Sequence, residues 1–266
     1  MFKIISHILV IIFLTILTQI GGFIYWGVIL FNRKLKLSGR KFFVLFCGTY
    51  LLFTFAIVPL TAPVFGRTTL PLWGNLKPLN FMTYVLNRHY VTPELKKQMI
   101  VLSSQMNSEF EGTKTKYLDA NFPFLDGFPL IPHLSHNDGR KLDVAFYYLD
   151  AITKKRSNDA PSFIGYGIYD NPKTGEVNTA KQCDDKGFWQ YGILGAIVPK
   201  WDENKFIVDQ KRTARLVELL SKHSQTSKIF IEPHLKQRWD LSSYESIRFH
   251  GCHAVRHDDH IHTQVN

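Results

Sequence analysis

Five of the chain's eleven histidines fall between His250 and His262, and three of them share the run His257-Asp258-Asp259-His260-Ile261-His262. A strand beginning near His260 would turn His260 and His262 to one face and Ile261 to the core, because side chains alternate along a strand. Two imidazoles side by side on a sheet form half of a zinc site; a solvated polar tail is the plainer alternative. A second group lies far upstream, in His133-Leu134-Ser135-His136-Asn137-Asp138-Gly139-Arg140-Lys141-Leu142-Asp143. Asn137-Asp138-Gly139 is turn chemistry, with Gly139 free to adopt positive φ. The turn brings His136 close to the start of the next strand, where Asp143 sits. Alone, this His-turn-Asp group is as readily a hydrogen-bonded pair as a ligand pair. Together they offer two histidines and one carboxylate, which leaves a fourth position open to water, the catalytic rather than the structural pattern of zinc.

His133, His136, Gly139 and Asp143 in the first block resemble the hallmark of the zinc peptidases that share the lysostaphin, D-Ala-D-Ala carboxypeptidase and hedgehog fold, as does His257-Asp258-Asp259-His260-x-His262 in the last. Within that group the pattern is most similar to the penicillin-insensitive murein endopeptidase. The run Ile229-Phe230-Ile231-Glu232-Pro233-His234-Leu235-Lys236 resembles the strand and turn before that family's last motif, so the resemblance covers roughly residues 110–266. It implies Zn2+ held by His136, Asp143 and His262, with His260 beside the metal to stabilise an oxyanion or orient water. It implies Asp259 or His257 as general base, and His133 as a supporting or substrate-facing residue. The implied reaction is hydrolysis of D,D or L,D amide bonds in the stem peptides of peptidoglycan. Ideal alternation turns Asp259 away from His262, so a direct role for it requires a bend. A zinc-fold module without turnover, serving wall binding or signalling, is the competing function. A metal chaperone or sensor built on the histidine-rich end would not need His136 and Asp143.

These residues must be carried by a domain that follows two apolar segments. Residues 8–31 and 42–65 contain no charged side chain, and as helices each would reach about 36 Å, enough for a hydrocarbon core of about 30 Å. The first is too long for the apolar region of a cleaved signal peptide. Between them, residues 32–41 hold Arg33, Lys34, Lys36, Arg40 and Lys41, which by charge bias places this loop in the cytoplasm. Two spanning helices would then put both ends outside. The expected plan is a two-helix anchor (1–65), a juxtamembrane connector (66–91) and a zinc peptidase domain (92–266) on the periplasmic or extracellular side of a bacterial inner membrane. The formal net charge of +10 suits anionic lipid headgroups and wall polymers. Nucleic acid is not an expected partner: no zinc-finger, RNP-like or helix-turn-helix pattern is present. Cys183 and Cys252 could pair in an oxidising compartment; a Cys-His metal site is the other option.

Within the outer domain, Thr92-Pro93-Glu94 reads as a helix start running to about Phe110. Val208–Ser224 reads as an amphipathic helix whose basic start, Lys211-Arg212, is a solvated face. Strands are expected at Thr113–Leu118, Leu142–Leu149, Phe163–Tyr169, Gly192–Val198 and Lys228–Glu232. The class is α+β with an antiparallel sheet. Asp184, Asp185 and Asp202 fit no calcium loop and read as solvated acids. Ser135 beside His136 lacks a nucleophile elbow. Trp189 and Tyr191 read as groove lining or as core.

Overall fold

A computed structural model describes residues 2–200 and 202–266. The first apolar segment does not form one helix. It breaks at Gln19, whose φ of +66° ends helix α1 (Phe2–Thr18) and starts α2 (Gly21–Leu35). Thr15 and Thr18 turn their hydroxyls back onto the carbonyls of Ile11 and Leu14, and Gly21-Gly22 lets the two helices close on each other. A Cβ at Gly22 would stand 2.0 Å from Thr15 Oγ1 and 2.3 Å from the Ile11 carbonyl. The helices therefore form an antiparallel hairpin, with His7 Nδ1 2.9 Å from the Tyr25 hydroxyl. Among the described residues one helix, Gly39–Phe65, is long and apolar enough to cross a membrane, not two. We call it α3; it includes a π-helical turn at Phe53–Ile57. Because α1 and α2 run antiparallel, Lys3 lies at the end of the bundle occupied by the basic loop, not at the domain's end as a two-helix anchor would require.

The domain that follows α3 is α+β. Its central sheet holds β1 (Leu76–Pro78), β2 (Thr115–Tyr117), β3 (Lys141–Ala145), β4 (Thr226–Phe230), β5 (Ile247–Arg248) and β6 (His260–Val265), in the order β5-β4-β6-β3-β2-β1. β4, β6, β3 and β2 are antiparallel neighbours, but both edges pair in parallel, so the sheet is mixed rather than purely antiparallel. Helices α4 (Pro93–Glu109) and α5 (Gln210–Lys222) cover one face. Thr92 caps α4, accepting the Leu95 amide. Leu95, Met99, Met106, Leu216 and Leu220 meet Leu142, Val144, Ile229, Ile261 and Val265 in one buried core. Burying each such side chain contributes about 1.5–3 kcal/mol, which fixes the strand register. The opposite face is left for polar side chains.

Three local expectations fail for physical reasons. Gly192–Val198 contains the helix Ile193–Ile197; short apolar runs fit either state, and length alone does not decide. Phe163–Tyr169 forms turns that cross over the polar face. Arg212 is buried: its guanidinium binds Asp209 and the carbonyls of Tyr148 and Ser157, tying α5 to a small sheet of Tyr148–Asp150, Arg156–Ser157 and Phe206–Val208. Asp185 and Asp202 remain solvated beside Lys181 and Lys205.

Candidate metal centre

On the β3–β6 ladder Asp143 pairs with His262, and Ala145 with His260. Leu142, Val144 and Ile261 take the core side, so Asp143, His260 and His262 share the opposite face. The loop from Asp119 to Arg140 folds over that face. Its turn is fixed by Gly139, at φ +77°, whose amide donates to Asn121 Oδ1 and whose carbonyl accepts from Thr92. His136 Nδ1 lies 2.7 Å from the Ala120 carbonyl. Donation there leaves Nε2 with its lone pair directed at the sheet.

Three donor atoms converge. His136 Nε2 is 3.2 Å from Asp143 Oδ1 and 3.0 Å from His262 Nδ1, and His262 Nδ1 is 2.9 Å from the same carboxylate oxygen. Ligand atoms of a tetrahedral zinc with bonds of about 2.0–2.1 Å stand roughly 3.3 Å apart, so the triangle matches one face of such a site. All three residues are buried, and Phe230 stacks on His262 with ring centroids 5.1 Å apart. The buried group His133, His136 and Asp143 can likewise hold a metal ion by proximity. Of the two histidines that could complete a trio with His136 and Asp143, His262 shares the Oδ1 corner. His133 Nδ1 instead faces the other carboxylate oxygen, 3.0 Å from Oδ2.

That second oxygen is held separately. Tyr166 donates its hydroxyl to Asp143 Oδ2 at 2.9 Å. Burial disfavours a charged His133, yet Asp143 and Asp119 outweigh it and push its pKa up to about 10. Burial also opposes the Asp143 carboxylate, but the surrounding His136, His260 and His133 hold its pKa well below the usual range. Asp119 is shared between His133 and Arg88.

The remaining histidines line a cavity of about 330 Å³ over the triangle. His260 Nδ1 pairs with Asp259 Oδ1, while its buried Nε2 has no hydrogen-bond partner and lies 3.8 Å from Asp143 Oδ2. Asp259 is turned away, as alternation requires: its other oxygen accepts the Gly167 amide at 2.6 Å. His257 faces the cavity with its ring 4.8 Å from that of His260; burial first, then the neighbouring His260 and His262, hold its pKa well below the ordinary value. Ser135 also lines the cavity, but both nitrogens of His136 are engaged elsewhere and none serves it as a base. Tyr191 is core and donates to Glu232, whereas Trp189 is exposed.

Cys183 and Cys252 form a disulfide. It ties the helix Thr179–Asp185 to the segment that supplies His250 and His253 to the cavity wall. Tyr166, Asp119, Arg88 and His253 were not singled out in the sequence, and Phe230 and His250 were named there without a role. Tyr166 sat in a run that reads as a strand, and Asp119 in Leu118-Asp119-Ala120 carries no local pattern at all. Compared with known proteins, the chain matches no family model and no curated protein.

Proposed function

We propose that the chain is a membrane-anchored zinc metallopeptidase that hydrolyses D,D or L,D amide bonds in peptidoglycan cross-links, on the outer side of a bacterial inner membrane. The observation that carries this reading is the buried triangle of His136 Nε2, Asp143 Oδ1 and His262 Nδ1, with edges of 2.9–3.2 Å, set beneath an open cavity. Two neutral donors and one carboxylate suit zinc, which when bound would polarise an amide carbonyl and make water a better nucleophile. The motif blocks that resemble the murein endopeptidases are the same residues that meet here, and they supply the substrate class.

Around the metal the chain supplies proton transfer. His260 presents Nε2 to the cavity with Asp259 behind Nδ1, the arrangement in which a carboxylate fixes the tautomer of a histidine base. His260 therefore takes the proton from the attacking water and returns it to the leaving amine. Asp259 is a positioning residue acting through it, not the direct base that the motif comparison first implies. His257, on the facing wall, donates to the developing oxyanion. His133 and Tyr166 hold the second oxygen of Asp143, so the carboxylate keeps one oxygen for the metal.

The anchor reading rests on charge and apolarity. Lys3, Arg33, Lys34, Lys36, Arg40 and Lys41 gather at one end of the helical bundle and the domain lies at the other, so the positive-inside bias orients the domain outward. A disulfide agrees with an oxidising compartment.

The test uses the full-length protein with defined cross-linked muropeptide dimers and mass spectrometry of products. Monomers should appear, a chelator should stop their release and zinc should restore it. His136→Ala and Asp143→Ala should lose both bound zinc and cleavage. Unimpaired cleavage by both variants would sink the proposal. Stoichiometric zinc without turnover in the unaltered chain would favour a silent wall-binding module.

A further inference from the structure

The three helices that lead into the domain differ in length. At about 1.5 Å per residue, α1 and α2 rise about 25 and 22 Å, short of a hydrocarbon layer of about 30 Å. Their connecting turn is level with Tyr50 of α3: Ile20 of the turn and Tyr50 belong to one buried cluster, and Tyr25 packs on Phe42 and Phe46, with ring centroids 5.6 and 5.5 Å away. A layer that covers the hairpin must therefore extend roughly another 5–8 Å, four or five residues further along α3, to Phe55.

At that level α3 touches the domain. Phe55 stacks on Phe81 and Tyr84, and the Tyr50 hydroxyl donates to the Val85 carbonyl. Residues 79–87 contain no charged side chain. Phe81 and Met82 are nevertheless 49 % and 44 % exposed, and Phe163 beside them is 70 % exposed. Several polar groups of this turn are paired with protein partners: Asn80 accepts the Met82 amide and donates to the Phe163 carbonyl, and the Tyr84 and Val85 amides donate to the Phe81 carbonyl. Such pairing lowers the cost of seating the turn at the acyl-chain boundary.

We infer that the outer domain is seated in the bilayer rather than held above it, with Phe81, Met82 and Phe163 forming a lipid-contacting patch continuous with the exposed flank of α3. The occupant of this surface is the outer-leaflet boundary between acyl chains and headgroups. The exposed apolar line continues along α3 through Leu60 and Val64, toward the headgroups. The patch would fix the domain's height and tilt, and it removes the freedom expected of a domain on a flexible connector. The inference rests on the anchor reading given above, and the test separates the two.

The full-length Cys47→Ser protein, in which the remaining cysteines are paired, is reconstituted in vesicles of phosphatidylethanolamine and phosphatidylglycerol. A nitroxide is attached at Met82→Cys, Phe163→Cys, Phe43→Cys or Ile152→Cys, one at a time. Power-saturation spectroscopy reads collisions with oxygen against a water-soluble nickel chelate. Labels at 82 and 163 should lose nickel contact and gain oxygen contact, as the label on the α3 flank at 43 does, whereas 152 in its charged turn stays open to nickel. Labels at 82 and 163 as nickel-accessible as 152, with 43 shielded, would overturn the seating while leaving the anchor. A nickel-accessible label at 43 would remove the anchor and the seating together.

Discussion

Asp143 divides its two carboxylate oxygens between tasks, and that division explains much of the site. Oδ1 faces His136 and His262, while Oδ2 is taken by Tyr166 and His133. A similar relay runs from the Gly167 amide through Asp259 to His260. Asp259→Asn keeps the shape but can present the wrong group to Nδ1, so turnover should fall by a factor on the order of 10²–10⁴. Zinc content should stay unchanged, because Asp259 holds no corner of the triangle. Metal analysis alongside steady-state kinetics checks both halves; full activity, or loss of zinc, would refute the relay. The three corner residues were legible in the sequence because chemically distinctive types recur at distinctive spacings. Their supports were not, since a tyrosine or aspartate contributed from elsewhere in the chain leaves no local period to read.

At the scale of elements, the ladder between β3 and β6 does the positioning. Alternation about Ile261 was enough to anticipate that His260 and His262 share a face, because a one-residue slip would expose Ile261 and Val144. The capped start of α4 and the amphipathic α5 were legible for the same reason: local patterns report local structure. The failures mark where tertiary context overrides pattern. Arg212 is buried because Asp209 and two carbonyls satisfy it, and the first apolar segment folds back because Gln19 and Gly21-Gly22 make a hairpin cheaper than a straight helix. The disulfide is another non-local tie. It closes a loop of 69 residues, so its removal should cost up to about 4 kcal/mol of stability. In a Cys183→Ala/Cys252→Ala variant the unfolding transition should drop and KM should rise as the His250–His253 wall loosens. Zinc should be retained, because the corners lie on β3, β6 and the Asp119–Arg140 loop. Unchanged KM in that variant would show that the wall does not depend on the tie.

For the whole molecule, charge and apolarity are distributed in register with the fold. Six cationic residues gather at one end of the bundle, an uncharged belt follows, and the polar face of the sheet lies beyond. Charge and segment patterns conveyed a basic, α+β chain with apolar N-terminal helices, but not the third helix, because hydropathy averaged along a window does not see a break of two residues.

The turn between α1 and α2 also touches the segment that leads to His136. Gln19 Oε1 accepts the Phe124 amide at 3.0 Å, and the Phe124 ring packs against Phe65 at the end of α3, with centroids 5.0 Å apart. On the proposed anchor and zinc readings, the tilt of the hairpin would reach the loop that shapes the metal corner, and acyl-chain length would become a variable of zinc retention. Zinc release measured in vesicles of short and long lipids should differ for the unaltered protein. The difference should vanish in Gln19→Ala; equal release rates in both lipids would show that the two are uncoupled.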